Sequence, residues 1–173
     1  MPRHAESCLV AYRPDQMFDL VADVARYPEF LPWCVGARIR TRNATEMAAD
    51  LTIGFGPIRE SFTSRVALER PDRINVRYEN GPFRYLTNQW RFSVDPTGCR
   101  VDFNVDFEFR SRLLQLAIGA VFQEAVHRMV AAFLTRARVV YGPPAIRSDA
   151  KGANGKPGGS MLERAASEPG TRT

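Results

Sequence analysis

The sequence predicts an α+β fold: a curved antiparallel sheet of about seven strands wrapped around a long C-terminal helix, with one or two short helices after the first strand. Three observations lead there. Arg112–Tyr141 runs for thirty residues without proline and with one glycine, Gly119, which suits one long helix. Six runs before it alternate apolar and polar residues with period two and are joined by short turns, the mark of an antiparallel meander. The inward row of those runs is heavy in aromatic residues, including Phe55, Phe62, Trp90, Phe92, Phe103, Phe107 and Phe109, and a flat sheet under one helix would leave much of it exposed.

Ser7–Tyr12 is the first strand, with Cys8, Val10 and Tyr12 on one face. Arg13-Pro14-Asp15 opens a helix, because proline suits the first turn and an acid favours the N-terminal dipole. Phe18, Val21 and Ala22, extended by Ala25, form its expected buried face. Two prolines, Pro28 and Pro32, then frame a short helical turn that presents Phe30, Leu31 and Trp33. Val35, Ala37 and Ile39 start the meander facing inward, with Arg38, Arg40 and Arg42 outward. Met47–Phe55, Ile58–Leu68, Ile74–Tyr78, Leu86–Val94 and Val101–Phe109 follow. Their turns are at Gly56-Pro57, Arg70–Arg73, Asn80–Pro82 and Asp95–Gly98. On the terminal helix, Leu114, Ile118, Val121, Ala125, Met129 and Ala132 fall on one stripe.

The chain divides at its C-terminal end. Residues 1–141 form the domain; from Gly142 onward ten of 32 residues are Gly or Pro and apolar residues are scattered, the composition of a disordered tail. Three widely spaced cysteines (Cys8, Cys34, Cys99) without a C-x-x-C pair fit a reducing compartment rather than a disulfide framework or zinc site. The N-terminus lacks the apolar core of a signal peptide, and no apolar run approaches the roughly 20 residues of a membrane span. The expectation is a cytoplasmic protein, peripheral at most to the inner face of a bacterial inner membrane. A formal charge of +5 suits ordinary solubility as well as an anionic membrane or RNA partner.

Polar residues interrupt the inward row at Glu60, Ser64 and Asn88. A buried carboxylate is costly unless paired or wet. Glu60 therefore either sits at a strand end beside a neighbouring arginine or marks, with Asn88, the polar end of a cavity. Gln123 and His127 on the helix could join that end, although an edge histidine in solvent is the commoner case. Gly119 permits either close packing or room for a ligand. His4 falls in a frayed terminus. Catalysis has little support: G-x-S-x-G, H-E-x-x-H and glycine-rich phosphate loops are all absent, no metal ligands cluster, and Cys34 is more readily a small buried thiol than a nucleophile. A binding protein that requires no cofactor is expected. The outward Arg38–Arg42 strand is the least balanced charge. No aromatic platform lies among those arginines, which disfavours single-strand nucleic-acid readout, and no DNA partner is expected.

At this point a resemblance enters. The run from Phe18 to Cys34 (F-D-L-V-A-D-V-A-R-Y-P-E-F-L-P-W-C), Gly81–Phe92, Val101–Phe109 and Ala132–Ala137 resemble the coenzyme-Q-binding proteins of the START-like, helix-grip superfamily, over roughly residues 3 to 141. Tyr-Pro-x-Phe-Leu-Pro-Trp is the specific part. The resemblance implies binding of ubiquinone, or a related polyprenyl lipid, between sheet and helix, in support of respiration and quinone synthesis. The same sequence family includes ribosome-association toxins, which implies the large ribosomal subunit as an alternative partner; the unbalanced outward residues Arg38, Arg40 and Arg42 are the face such a contact would use. The lipid-binding candidates are Phe30, Leu31 and Trp33 at the entrance; Phe55, Glu60, Phe62, Asn88, Trp90 and Phe107 on the sheet; and Leu116, Ala120, Gln123 and His127 on the helix. Leu113 and Leu114, with Leu116, Phe83 and Tyr85 nearby, could dip into an anionic bilayer surface.

Overall fold

A computed structural model describes residues 3–143, so the expected tail lies almost wholly outside the described residues. Seven antiparallel strands form one sheet: β1 (Arg3–Val10), β2 (Cys34–Arg42), β3 (Glu46–Phe55), β4 (Ile58–Glu69), β5 (Arg73–Asn80), β6 (Phe83–Asp95) and β7 (Gly98–Phe109). The spatial order is β1-β7-β6-β5-β4-β3-β2, so β2 to β7 form a meander and β1 closes on its last strand. The sheet edges are therefore β1 and β2. The helices α1 (Pro14–Ala22) and α2 (Tyr27–Phe30), joined by a 3-10 turn at Val24–Arg26, carry the chain from one edge to the other.

The first strand starts earlier than its alternation indicated, at Arg3, and His4 is half-buried on the inner face rather than frayed. Its register explains this, since His4 lies opposite Val105 and Glu6 opposite Phe103. Close approach at the far end of this pairing depends on Gly98. Its φ is +141°, and an added Cβ would lie 2.2 Å from the Val10 carbonyl oxygen. Pro14 occupies the first turn of α1, and the Arg13 backbone N–H donates to Gln16 Oε1 at 3.0 Å.

Two expectations are corrected by local geometry. Val35 faces solvent at 44% exposure, because a bulge between Cys34 and Gly36 turns Cys34 inward in its place. The thirty-residue helix is two helices, α3 (Arg112–Gly119) and α4 (Phe122–Tyr141), bent by 57°. Gly119 is a poor helix former and its missing Cβ would touch nothing, so no packing opposes the break. The break re-phases the stripe: Ile118 is buried as expected, but Val121 is exposed, and α4 buries Val126, Met129, Phe133 and Ala137. Among the described residues no single helix is long and apolar enough to cross a membrane; α3 and α4 reach that length and composition only together, across their 57° bend.

The core is split. One cluster joins α1, α2 and most of α4 to the sheet. A second gathers Ile53, Phe62, Phe83, Phe107 and Phe109 under Ile118 of α3. Trp33, Leu51, Val105 and Phe122 pack against both clusters without being fully buried themselves.

Candidate functional site: the cavity between sheet and helices

The space where the two clusters fail to merge is a cavity of about 180 Å³, partly open to solvent. All four bridging residues line it, and its wall is apolar and aromatic apart from Ser64 and Asn88. An apolar cavity near 150 Å³ is large enough for a benzene-sized ring. Opposed elements hold it open. The sheet contributes Ile53, Phe62, Trp90 and Phe107, α4 contributes Ala125 and Met129, and α3 contributes Ile118.

Of the sequence-derived candidates, Leu31, Trp33, Phe55, Phe62, Asn88, Trp90 and Phe107 line this cavity. The proline-framed turn divides its aromatic residues. Leu31 is buried at the wall and Trp33 half-buried there, whereas Phe30 packs outward on Phe133 of α4, with ring centroids 5.3 Å apart. Arg136 lies over the Phe30 ring at 5.3 Å and reaches Glu29 at 2.6 Å, so this part of the turn clasps α4 instead of lining the entrance. Tyr27 is buried below, its hydroxyl donating to the Val21 carbonyl.

The other helix candidates lie elsewhere. Ala120, Gln123 and His127 are exposed and off the cavity wall, and Ala125, two residues past Gln123, takes the position expected of Ala120. Leu114 and Leu116 exchange roles. Leu114 is half-buried against the second cluster, while Leu116 is 75% exposed beside Leu113 at 78%. The cause is the phase of α3: Leu114 and Ile118, four apart, share the face that the sheet covers. Glu60 is half-buried near the start of β4, outside the cavity wall and without an ion pair among the described residues.

Asn88 is on the wall but its amide is engaged. It accepts the Trp90 indole N–H at 2.9 Å and donates to the Asn104 carbonyl at 3.1 Å. Directly across from Ser64 in the sheet register stands Tyr78, whose buried hydroxyl has no hydrogen-bond partner among the described residues. Sequence alternation placed Tyr78 in the inward row but gave no sign that its hydroxyl would be unsatisfied. Inner-edge groups add a small polar cluster: His4 Nε2 lies 3.1 Å from Glu6, and the His4 ring is 6.3 Å from that of His127 and 6.1 Å from Phe122.

No His, Cys, Asp and Glu group among the described residues has the arrangement of a metal site. Cys34 is buried, its thiol pushed up to about 11 by desolvation, which makes it a poor nucleophile. The outer arginines are only partly free. Arg40 pairs with Asp50 at 2.8 Å and Arg42 reaches the Ala22 carbonyl at 3.4 Å, leaving Arg38 without such a contact.

A sheet gripping a helix around an apolar hollow defines a helix-grip, START-like fold. The chain belongs to the family described as polyketide cyclase / dehydrase and lipid transport, which matches residues 10–134. It is 39% identical over 142 residues to the ribosome association toxin RatA of Escherichia coli K12, covering 82% of this chain and 90% of that one. It is 35% identical over 145 residues to the mitochondrial coenzyme Q-binding protein COQ10 of Drosophila melanogaster, covering 81% of this chain and 60% of that one. The solution structure of the 18 kDa protein CC1736 from Caulobacter crescentus superposes with a TM-score of 0.69 at 36% identity, covering 83% of this chain and all of that one.

Proposed function

We propose that this protein binds ubiquinone, or a related polyprenyl lipid, in the cavity and carries it without chemical change. The observation that supports this most is the wall: it is apolar and aromatic around a space of about 180 Å³, with only Ser64 and Asn88 as polar residues. That volume suits a quinone ring. A polyprenyl tail needs several times more, so the tail leaves through the open side. Burying the ring and the first part of the tail contributes about 25 cal/mol per Å² of apolar surface. Ser64, on the wall, is the donor left for a head-group carbonyl; the buried Tyr78 hydroxyl stands across from it in the strand register but off the wall. Leu113 and Leu116 on the outside of α3 meet the bilayer from which the lipid comes. Solvent extraction of the purified protein followed by mass spectrometry tests the reading. A quinone present in stoichiometric amount is expected, and a lipid-free extract overturns it.

A second reading, association with the large ribosomal subunit, is favoured by the RatA relatives, of which this chain covers 90% in Escherichia coli K12 and 99% in Vibrio cholerae. Sedimentation of cell extracts through sucrose tests it: co-migration with the large subunit that weakens with salt is expected.

A further inference from the structure

We propose that the outer face of the sheet, across β4 to β7 and on to β1, is a docking surface for double-helical RNA; this rests on the second reading, for which it names the contact. Strand register aligns three rows on that face. The first runs Glu69, Arg73, Arg91, Asp102, Ser7; the second Ala67, Asn75, Gln89, Asn104, Ala5; the third Arg65, Arg77, Thr87, Asp106, Arg3. Arg73 and Arg91 are direct cross-strand partners, and so are Arg65 and Arg77. Like charges placed opposite one another weaken a sheet, so two such pairs around one strand are unfavourable for the isolated fold and favourable toward a polyanion.

Charge accounting sharpens this. The acids of the face are already engaged: Glu79 with Arg65 at 3.0 Å, Glu69 with Arg73 at 3.6 Å, Asp102 with Arg100 at 3.2 Å and Asp106 with Arg3 at 3.0 Å. The side chains of Arg77 and Arg91, one from each facing pair, have no ion pair or hydrogen bond among the described residues. Between the arginine rows, which lie about 13 Å apart along a strand, runs the amide strip Asn75–Gln89–Asn104. A surface hollow of about 450 Å³ opens over the strip and the first row, and the Asn75 Oδ1 there is buried without a partner among the described residues.

This is the chemistry that a wide, shallow RNA minor groove asks for: cations for the phosphates on both sides, with amide donors and acceptors between them for 2′-hydroxyls. Tyr85, on this face, is half-buried and its hydroxyl donates to Asp106 at 3.2 Å, so it offers little platform for unstacked bases and a duplex fits the face better than a single strand. An anionic membrane would engage the arginines but leave the amide strip unused.

The test is fluorescence anisotropy of the full chain with a short labelled RNA duplex and the DNA duplex of the same sequence, alongside sucrose-gradient sedimentation. Expected are preference for RNA, at least a tenfold loss in Arg77→Glu/Arg91→Glu with a salt slope shallower by roughly two, and a loss of RNA preference in Asn75→Ala/Gln89→Ala. All four side chains lie on the sheet's outer face, so folded variants are expected, checked by circular dichroism. Equal binding of RNA and DNA overturns the proposal, as does RNA binding that survives the arginine exchange. Co-migration with the large subunit that is unchanged in Arg77→Glu/Arg91→Glu keeps the ribosome reading and rejects this face. Loss of both in the unmodified chain rejects both.

Discussion

Asn88 accepts the indole N–H of Trp90, its neighbour but one on β6, at 2.9 Å, and gives its own N–H to the Asn104 carbonyl at 3.1 Å. The polar side chain that interrupts the inward row is thus a fixture of the cavity wall. Replacing it with leucine strands the Trp90 donor, and an unsatisfied buried donor costs about 1–3 kcal/mol. Asn88→Leu should lose stability of that size in urea denaturation while retaining lipid on extraction. Loss of lipid with unchanged stability would mean that the amide serves the ligand instead.

Tyr78 should behave in the opposite way. Its hydroxyl is buried beside Phe83, with ring centroids 5.5 Å apart, and lacks a partner. Removing an unsatisfied polar atom is neutral or stabilising. Tyr78→Phe should therefore keep or raise the melting temperature and, if the hydroxyl meets a head-group carbonyl, reduce the quinone retained through gel filtration. A destabilised variant with full retention would reject that role.

Ala125 is the place to fill the hollow. It is half-buried on α4 and faces the sheet across the cavity. Ala125→Trp should abolish lipid co-purification at a stability cost of about 1–3 kcal/mol, the usual range for overpacking, with the far-UV circular dichroism unchanged. Ala120→Trp, on the exposed side of the helix break, should leave the lipid content as it is. The pair of variants separates the cavity from the outer helix surface.

These two alanines illustrate what the sequence could convey. Period-two alternation identified the strands and placed Phe55, Phe62, Trp90 and Phe107 on the inner face, because a strand's side chains have only two directions. A helix has no such simplicity once broken. The stripe of Leu114 and Ile118 is legible up to Gly119, and the 57° bend then shifts the buried face, so Ala120 and Gln123 read as inward when they are not. The bulge beside Cys34 has the same effect on Val35. The commitment of Asn88 to Trp90 depends on rotamers that alternation does not encode.

Leu113 and Leu116 are 78% and 75% exposed on neighbouring turns of α3, with nothing among the described residues covering them. Their worth to the fold is small, so Leu113→Asp/Leu116→Asp should change stability by less than about 0.5 kcal/mol. Flotation with anionic vesicles should fall sharply for this variant if α3 meets the bilayer. Unchanged flotation would move membrane contact away from α3.

Thiol titration gives a pH dependence with a defined sign. Burial pushes Cys34 and Cys99 from the ordinary 9.0 up to about 11, and raises Cys8 as well. Below pH 9 these thiols are protonated in both folded and unfolded chains and contribute no slope. Between pH 9 and 11 the unfolded chain releases its protons first, so the folded state binds more and stability falls as pH rises. The slope is on the order of 1 kcal/mol per pH unit for each thiol. The buried tyrosine Tyr27, also raised by desolvation, adds the same sign only above its ordinary 10.0, so the interval from pH 9 to 10 isolates the cysteines. Urea midpoints should be flat to about pH 8.5 and decline above 9, and Cys34→Ala/Cys99→Ala should remove most of the decline. In the native protein at pH 8 both thiols should resist labelling by an aromatic disulfide until denaturant is added. Rapid native labelling of Cys34 would instead reveal a thiolate and reopen nucleophilic chemistry at the start of β2.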